Sequence, residues 1–165
     1  MKILVVDDTL ANLVEACEVL HGHDVTTAFS FEEAQKILEP REQNLMGKHI
    51  GELPEPFEAL LTDLMLPASD AKLSGEAKRQ YAGKEMPLGI FLAFLALRVG
   101  IKKVAIVTDK SHHEHPAAAA FDVFRWWWEG PFVVGDAKVL CVNDSKSWKD
   151  ALRLLNGEPA PLKQY

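Results

Sequence analysis

The stretch FEALLTDLMLP, residues 57–67, decides how the rest of the chain is interpreted. Its apolar run at residues 59–61 ends at Thr62 and Asp63, and prolines at positions 54, 56 and 67 bound it on both sides. A short apolar run between such residues is typical of a buried parallel strand. Ligands of open α/β sheets bind beyond the carboxyl ends of the strands, so Asp63 is the first candidate for a functional residue.

Further apolar runs alternate with helical patterns along the chain. Strands are predicted at residues 2–6, 25–28, 103–107 and 138–142, and residues 132–134 are a weaker candidate for a sheet strand. Helices are predicted over residues 10–20, 30–38, 88–99, about 117–127 and 147–155. This alternation predicts an α/β fold with a doubly wound, flavodoxin-like sheet of five parallel strands, in a single domain spanning residues 1–165.

Two segments interrupt the alternation. Residues 40–56 are polar, contain glycines and prolines, and are predicted to form a long loop. Residues 68–87 are rich in Lys, Ser, Gly and Glu and follow Asp63 almost directly. A loop of that length in a compact domain is usually functional or mobile, so we interpret residues 68–87 as an inserted loop and a candidate lid. The next stretch, residues 88–99, is nearly all apolar, which predicts a helix that is covered on most sides.

Composition argues against several classes of function. The net charge is −6, and no predicted face carries a cluster of Lys or Arg, so direct binding to nucleic acid is not expected. The apolar opening meets Asp7 and Asp8 after six residues, which is too short for a signal peptide or a transmembrane span. We therefore expect a cytoplasmic protein that does not enter a membrane.

Carboxylates follow two of the predicted strands. Asp7 and Asp8 follow the first strand and Asp63 ends the third, so the topology predicts that they converge at one edge of the sheet. Two carboxylates about 4 Å apart repel by roughly 4 kcal/mol at an effective dielectric constant of 20, so a cation is expected among them. Oxygen ligands in a partly hydrated cluster favour Mg²⁺ over Ca²⁺ or Zn²⁺.

The motifs VVDD (residues 5–8) and DLMLP (residues 63–67), with Thr108 closing the fourth strand and a lysine after the fifth, resemble a response-regulator receiver domain over almost the whole chain. The resemblance implies a phosphorylation-controlled signalling module rather than an enzyme with a separate substrate. It also implies a stand-alone receiver whose chain ends after the fifth helix. Such a receiver takes its phosphoryl group from a histidine kinase or phosphotransfer protein and acts through an unidentified downstream protein partner.

The resemblance also implies residue roles. Asp63 is the phosphoacceptor, and Asp7, Asp8, Asp63 and the main-chain carbonyl of Met65 hold Mg²⁺. Thr108 turns its hydroxyl towards the phosphoryl oxygens, and Lys146 is the nearest candidate for the family's lysine.

Several features depart from the receiver pattern. Lys146 is separated from the last strand by residues 143–145 and is followed by Ser147 instead of a proline. Asp109 follows Thr108 where the family has a small residue, and Leu140 or Cys141 stands where the family has an aromatic switch residue. These departures favour an alternative function, a pseudo-receiver that binds partners without being phosphorylated.

Other interpretations remain open at this level. VVDDTL, residues 5–10, resembles the opening of haloacid dehalogenase phosphohydrolases, but Thr9 replaces the acid that pattern requires, so this function is less favoured. His112, His113 and His115 with Glu114 form either a metal site or a polar loop. The tryptophans at 126–128 cannot all face one core, so they form a partner surface or pack on an inserted loop.

Overall fold

The computed structural model describes residues 1–48, 51–111, 113–124, 130–142 and 146–159. The strands are β1 (Lys2–Val6), β2 (Asp24–Ala28), β3 (Ala59–Asp63), β4 (Leu66–Pro67), β5 (Glu85–Met86), β6 (Lys103–Val107), β7 (Phe132–Val134) and β8 (Ala137–Val142). The helices are α1 (Leu10–Val19), α2 (Phe31–Leu45), α3 (Gly75–Tyr81), α4 (Gly89–Arg98), α5 (Pro116–Ala119), a 3₁₀ helix (Ala120–Phe124) and α6 (Trp148–Leu155).

The main sheet has the strand order β2-β1-β3-β6-β8-β7. The first five of these strands are parallel, which confirms the doubly wound, five-stranded parallel sheet predicted from the sequence. Every residue of β3 is buried, as expected of a central parallel strand with helices on both faces. The decisive stretch of sequence therefore lies in the middle of the sheet.

Side chains that alternate along β3 enter two different hydrophobic clusters. Leu60 packs in a cluster that includes residues of α2, α4, α5 and the 3₁₀ helix. Leu61 packs in the opposite cluster with residues of α1 and α6. Because successive strand residues point to opposite faces, one short apolar run serves both layers.

The sheet has one strand more than predicted. β7 pairs antiparallel with β8, Val133 lying opposite Lys138, and forms the outer edge of the sheet. The two strands are joined by Gly135 and Asp136, and the positive φ of 63° at Gly135 suits a tight hairpin. The run at residues 132–134 is thus a sheet strand as well, although the sequence made it the weaker candidate.

Helix α2 continues beyond its predicted end at residue 38. It runs to Leu45 with Pro40 inside it, so the predicted loop of residues 40–56 begins later. Pro40 removes a main-chain donor and disfavours the helix locally. Contacts beyond the proline support the extra turns, since Glu42 pairs with Arg98 of α4 at 3.2 Å and Gln43 donates to Glu39 at 2.7 Å.

The inserted segment of residues 68–87, which we predicted as a loop, contains regular structure. Strands β4 and β5 pair antiparallel at the base of this segment, with Leu66 opposite Met86, and α3 lies between them. Every residue of α3 is exposed, and Lys78 of α3 pairs with Asp70 at 2.8 Å. A local ladder and ion pairs organise the segment where composition indicated only polar loop residues.

Two predicted helices also differ in detail. Residues 88–99 are covered on most sides, as predicted, but Phe91 and Phe94 of α4 are 56% and 63% exposed and lie on one uncovered stripe. The helix predicted from residue 117 begins at Pro116 and narrows to the 3₁₀ helix at Ala120, while the rest of its predicted length lies outside the described residues. Within the described ranges, no helix combines the length and apolar character needed to cross a bilayer.

Candidate functional site

Three carboxylates meet at the carboxyl edge of the parallel strands. Val6 of β1 lies opposite Thr62 of β3, so the acids that follow these residues emerge side by side. Asp7, Asp8 and Asp63 each offer an oxygen within 4.8 Å of the others. Asp7 and Asp63 are buried and Asp8 is exposed. The structure thus brings together the three acids that the sequence analysis proposed.

Lys146 lies between two of these acids. Its Nζ donates to Asp63 Oδ2 at 2.7 Å and to Asp7 Oδ2 at 2.9 Å, and its side chain is only 12% exposed. Burial lowers the pKa of Lys146, but the charges and hydrogen bonds of the two carboxylates outweigh burial and hold it above the ordinary value. Lys146 therefore occupies the site although residues 143–145, which lie outside the described residues, separate it from β8.

The carboxyl group of Asp63 is strongly perturbed. Burial raises its pKa to about 6, and the charge of Asp7 adds to this effect. The attraction of Lys146 and the hydrogen bond from Met65 N to Asp63 Oδ1, at 3.3 Å, oppose the rise without cancelling it. The ionised form of Asp63 is consequently less favoured, relative to the protonated form, than in an exposed aspartate. A cation bound beside it would stabilise the ionised form.

The Asp7 carboxylate is held by donors that the sequence analysis did not identify. Thr9 N donates to Oδ1 at 2.8 Å, and Asn12 Nδ2 lies 2.9 Å from Oδ1 and 3.1 Å from Oδ2. The Asn12 main-chain oxygen in turn accepts a hydrogen bond from Trp148 Nε1 at 3.2 Å. Amphipathic spacing in α1 singled out its apolar residues, so the polar Asn12 in the first turn was overlooked.

Thr108 follows β6 at the same edge of the sheet. Its main-chain N donates to Val142 O at 2.9 Å, and its hydroxyl oxygen accepts a hydrogen bond from Lys110 N at 3.2 Å. The side chain is buried. Asp109, the next residue, is exposed and stands outside the cluster formed by the three acids among the described residues.

The chain that follows Asp63 is fixed by main-chain hydrogen bonds to two other elements. Leu64 N donates to Val107 O at 3.1 Å, and Leu64 O accepts from Gly89 N at 3.1 Å. Met65, the next residue, is buried. The carboxyl end of β3 is thus fixed to β6 on one side and to the start of α4 on the other.

The donor set fits a hard divalent cation. The clustered groups are carboxylates, and oxygen ligands of this kind suit Mg²⁺. Exposed Asp8 contacts Thr9 Oγ1 at 3.5 Å, a long hydrogen bond that a cation could displace easily. Asp8 and Asp63, with Asp7 beside them, are therefore side chains that could hold such a cation.

The other features noted in the sequence do not assemble a second site in the part of the chain that the structure describes. His115 Nδ1 accepts a hydrogen bond from Ala117 N at 3.1 Å and so caps α5, and Glu114 accepts one from Ser111 N at 2.8 Å. His112 and the tryptophans at 126–128 lie outside the described residues. Leu140 and Cys141 of β8 pack against opposite core clusters, in place of an aromatic residue.

No protein-family model and no curated protein matches the chain. Solved structures do. A CheY-like response regulator receiver domain protein from Methanospirillum hungatei JF-1 is 19% identical, with a TM-score of 0.52 over 94% of this chain and 90% of that chain. A response regulator receiver domain protein from Clostridium thermocellum is 18% identical, with a TM-score of 0.50 over 94% and 91% of the two chains.

A third solved structure is a response regulator protein from Burkholderia pseudomallei with a phosphorylated aspartic acid, a calcium ion and citrate. It is 17% identical, with a TM-score of 0.51 over 93% of this chain and 65% of that chain. At these identities the likeness establishes a shared fold.

Proposed function

Because the chain has the fold of response-regulator receiver domains, we propose that it is a phosphorylation-controlled signalling module whose phosphoacceptor is Asp63. The observation that carries this proposal is the Lys146 ammonium, 2.7 Å from Asp63 Oδ2, in a cluster of carboxylates at the edge of the sheet. The donor would be the phosphohistidine of a histidine kinase or a phosphotransfer protein. The phosphorylated form would act by changing its contact with another protein.

The proposed reaction is a single phosphoryl transfer. One oxygen of the Asp63 carboxylate attacks phosphorus while the bond from phosphorus to the donor nitrogen breaks, and the electron pair of that bond stays with the imidazole. Bound Mg²⁺ would neutralise charge on the oxygens of the transferred group. Asp63 must be ionised to attack, and its pKa of about 6 leaves it mostly ionised at neutral pH.

The neighbouring residues would bind and orient the reacting groups. Asp8 and Asp63, with the Met65 carbonyl, would hold Mg²⁺, and Asp7 would add negative charge behind them. The Lys146 ammonium would remain beside the new phosphoryl oxygens, because charge neutralisation and positioning supply most of the catalysis in such transfers.

Thr108 offers a way for the new charge to alter the protein surface. A phosphoryl group adds nearly two negative charges at neutral pH and three strong acceptor oxygens. If the Thr108 hydroxyl turns to donate to one of them, it gives up the hydrogen bond that it accepts from Lys110 N. The loop after β6 would then be released, and a protein partner would detect that change.

The proposal is tested by intact mass after incubation with acetyl phosphate and Mg²⁺. The wild-type protein should gain one phosphoryl group, and Asp63→Asn should gain none. Asp70→Asn is the matched control, since Asp70 is an exposed aspartate on the inserted segment and its loss should leave uptake unchanged. A chelator should abolish uptake. Phosphorylation of Asp63→Asn, or no adduct on a folded wild-type protein, would contradict the proposal.

A phosphorylation-independent scaffold is the second candidate function. It is favoured by one observation: Lys146 already pairs with both Asp7 and Asp63, so the charges of the site are partly balanced without a metal ion or phosphate. Absence of both an adduct and Mg²⁺ binding would support it. The phosphohydrolase alternative is weaker, because Asp7, its nucleophile, is fully buried with both oxygens hydrogen bonded.

A further inference from the structure

The contacts around Asp7 and Lys146 close into a ring that joins the first turns of α1 and α6. Lys146 Nζ donates to Asp7 Oδ2, and Asn12 Nδ2 donates to both oxygens of Asp7. Trp148 Nε1 donates to the main-chain oxygen of Asn12. Trp148 stands two residues after Lys146, so the chain itself completes the ring. We call these four residues the α1–α6 ring.

The α6 side of the ring is fixed by packing. Trp148 is 1% exposed and is among the largest fully buried side chains, in the same cluster as Leu13 of α1. Ser147 caps the helix, because its Oγ accepts from Asp150 N at 3.3 Å and donates to Asp150 Oδ2 at 2.9 Å. The main chain just after Lys146 is therefore well determined, and this limits where the ammonium can reach.

The α1 side of the ring fixes the acceptor. An ionised carboxylate has about four lone-pair positions, and Asp7 receives hydrogen bonds at all of them. Two go to Oδ1, from Thr9 N and Asn12, and two go to Oδ2, from Asn12 and Lys146. Asn12 thus sets the plane of the carboxylate and directs Oδ2 towards the ammonium.

We propose that Asn12 and Trp148 are positioning residues that hold Lys146 Nζ between Asp7 and Asp63. Neither residue contacts the reacting atoms. Each fixes one end of the ring, Asn12 through the Asp7 carboxylate and Trp148 through the main chain after Lys146. Removing the hydrogen bonds of either residue breaks the ring, so a second substitution should displace the Lys146 ammonium little further. The inference rests on the proposed function only where it gives Lys146 a part in phosphoryl transfer.

The first test measures the lysine itself, in protein free of Mg²⁺ and phosphate. An ammonium held by two carboxylates exchanges its protons slowly and gives a resolved nitrogen-15 NMR signal. We expect the Lys146 signal in the wild type and its loss in both Asn12→Leu, which removes the amide donor, and Trp148→Phe, which keeps an aromatic ring. Ile101→Val is the control for lost stability and should keep the signal, because Ile101 is buried just before the amino end of β6, away from the carboxyl ends of the strands.

The second test measures phosphoryl uptake from acetyl phosphate at saturating Mg²⁺. Each single variant should slow phosphoryl uptake by about tenfold, because the Lys146 ammonium is still present but is no longer held in position. The double variant should be about tenfold slower as well, whereas independent residues would give about a hundredfold. Ile101→Val, with its own loss of stability, should leave the rate unchanged.

The outcomes separate the ring from the proposed function. Persistence of the Lys146 signal in both single variants, or multiplied losses of rate in the double variant, would overturn the positioning role. If the signal is lost as expected but even the wild type takes up no phosphoryl group, the ring is supported and the proposed function fails.

Discussion

Gly89, the first residue of α4, lies directly against the main chain of Asp63. A Cβ atom added to Gly89 would stand 2.0 Å from the Asp63 carbonyl oxygen and 3.0 Å from the Cα of Leu64. No side chain fits at such distances, so only glycine allows α4 to begin this close to the end of β3. The position of the candidate phosphoacceptor thus depends on a residue that lies more than twenty positions later in the chain.

Gly89→Ala should therefore destabilise the protein. The added methyl group meets main-chain atoms, which cannot rotate away, so we expect the free energy of unfolding to fall by about 3 kcal/mol. Urea denaturation measures this change. Gly22→Ala is the matched control, because no atom lies within 4 Å of its added Cβ, and its effect should stay within about 0.5 kcal/mol. Similar losses in the two variants would show that the approach at Gly89 is not tight.

Asp63→Asn should stabilise the metal-free protein above about pH 6. Burial raises the pKa of folded Asp63 to about 6 from the ordinary value of 3.8. Between these values the folded wild type takes up a proton that the unfolded chain does not bind, so its stability rises as the pH falls. At about pH 8, where the wild type carries the full cost of the buried charge, the variant should be more stable by about 2–3 kcal/mol.

Urea denaturation in the presence of a chelator checks the sign of this effect. The advantage of Asp63→Asn should shrink steadily between about pH 6 and pH 4, and should be almost gone at the lower value. Asp8→Asn is the control at the same cluster, and exposed Asp8 should show a much smaller gain. A variant whose advantage grew on acidification would contradict the raised pKa.

Lys146→Met should destabilise the metal-free protein at neutral pH. Two buried carboxylates would lose their shared cation, and removing one partner of a buried ion pair costs about 3 kcal/mol. Mg²⁺ should stabilise the variant more than the wild type, because it supplies the missing positive charge. Thermal or urea unfolding with and without Mg²⁺ measures both effects.

Lys78→Met is the matched control for the lysine. Lys78 pairs with Asp70 at 2.8 Å, a distance close to those of Lys146, but the side chains of both Lys78 and Asp70 are largely exposed. Exposed ion pairs contribute little to stability, so this variant should unfold like the wild type. Equal destabilisation of the two variants would argue against a special role for burial at Lys146.

Thr108→Val should separate phosphoryl uptake from its consequence. Uptake should continue at a similar rate, because the threonine hydroxyl is not the acceptor. In the wild type, phosphorylation should speed hydrogen exchange at the Lys110 amide, as the hydroxyl leaves its hydrogen bond. In Thr108→Val this amide should exchange quickly in both states. Thr26→Val, on the far strand β2, should keep the wild-type response, and a response that survived in Thr108→Val would exclude this route.

The parallel sheet was predictable because most of its strands are short apolar runs that end at polar residues. The predicted meeting of Asp7 and Asp63 followed from topology alone, since neighbouring parallel strands end at one edge. Helix α2 shows the opposite case. Local signals at Pro40 indicated a helix end, but the packing of α2 against α4, including the Glu42–Arg98 pair, overrides them. Such contacts between distant residues leave no local pattern in the sequence.

The details of the site were harder to predict than its location. Residues 143–145 separate Lys146 from the last strand along the chain, so the sequence could not show that its ammonium reaches the acids. Asn12 is a common residue type in a first helical turn, and its bond to Asp7 depends on the orientation of α1. Both contacts depend on how far and in which direction a side chain extends in the folded protein, and the spacing of residues along the chain does not show this.

The exposed helix α3 makes the inserted segment a natural place to open the chain. Its two ends are held together by the β4–β5 ladder, so trypsin cleavage after Lys78 or Arg79 should leave two fragments that stay associated through the main sheet. For the same reason a fluorescent protein inserted in α3 should be tolerated. Strand β4 begins three residues after Asp63. A fluorescent protein inserted in α3 would therefore be connected to the site through β4, and its fluorescence could report events at the carboxylates.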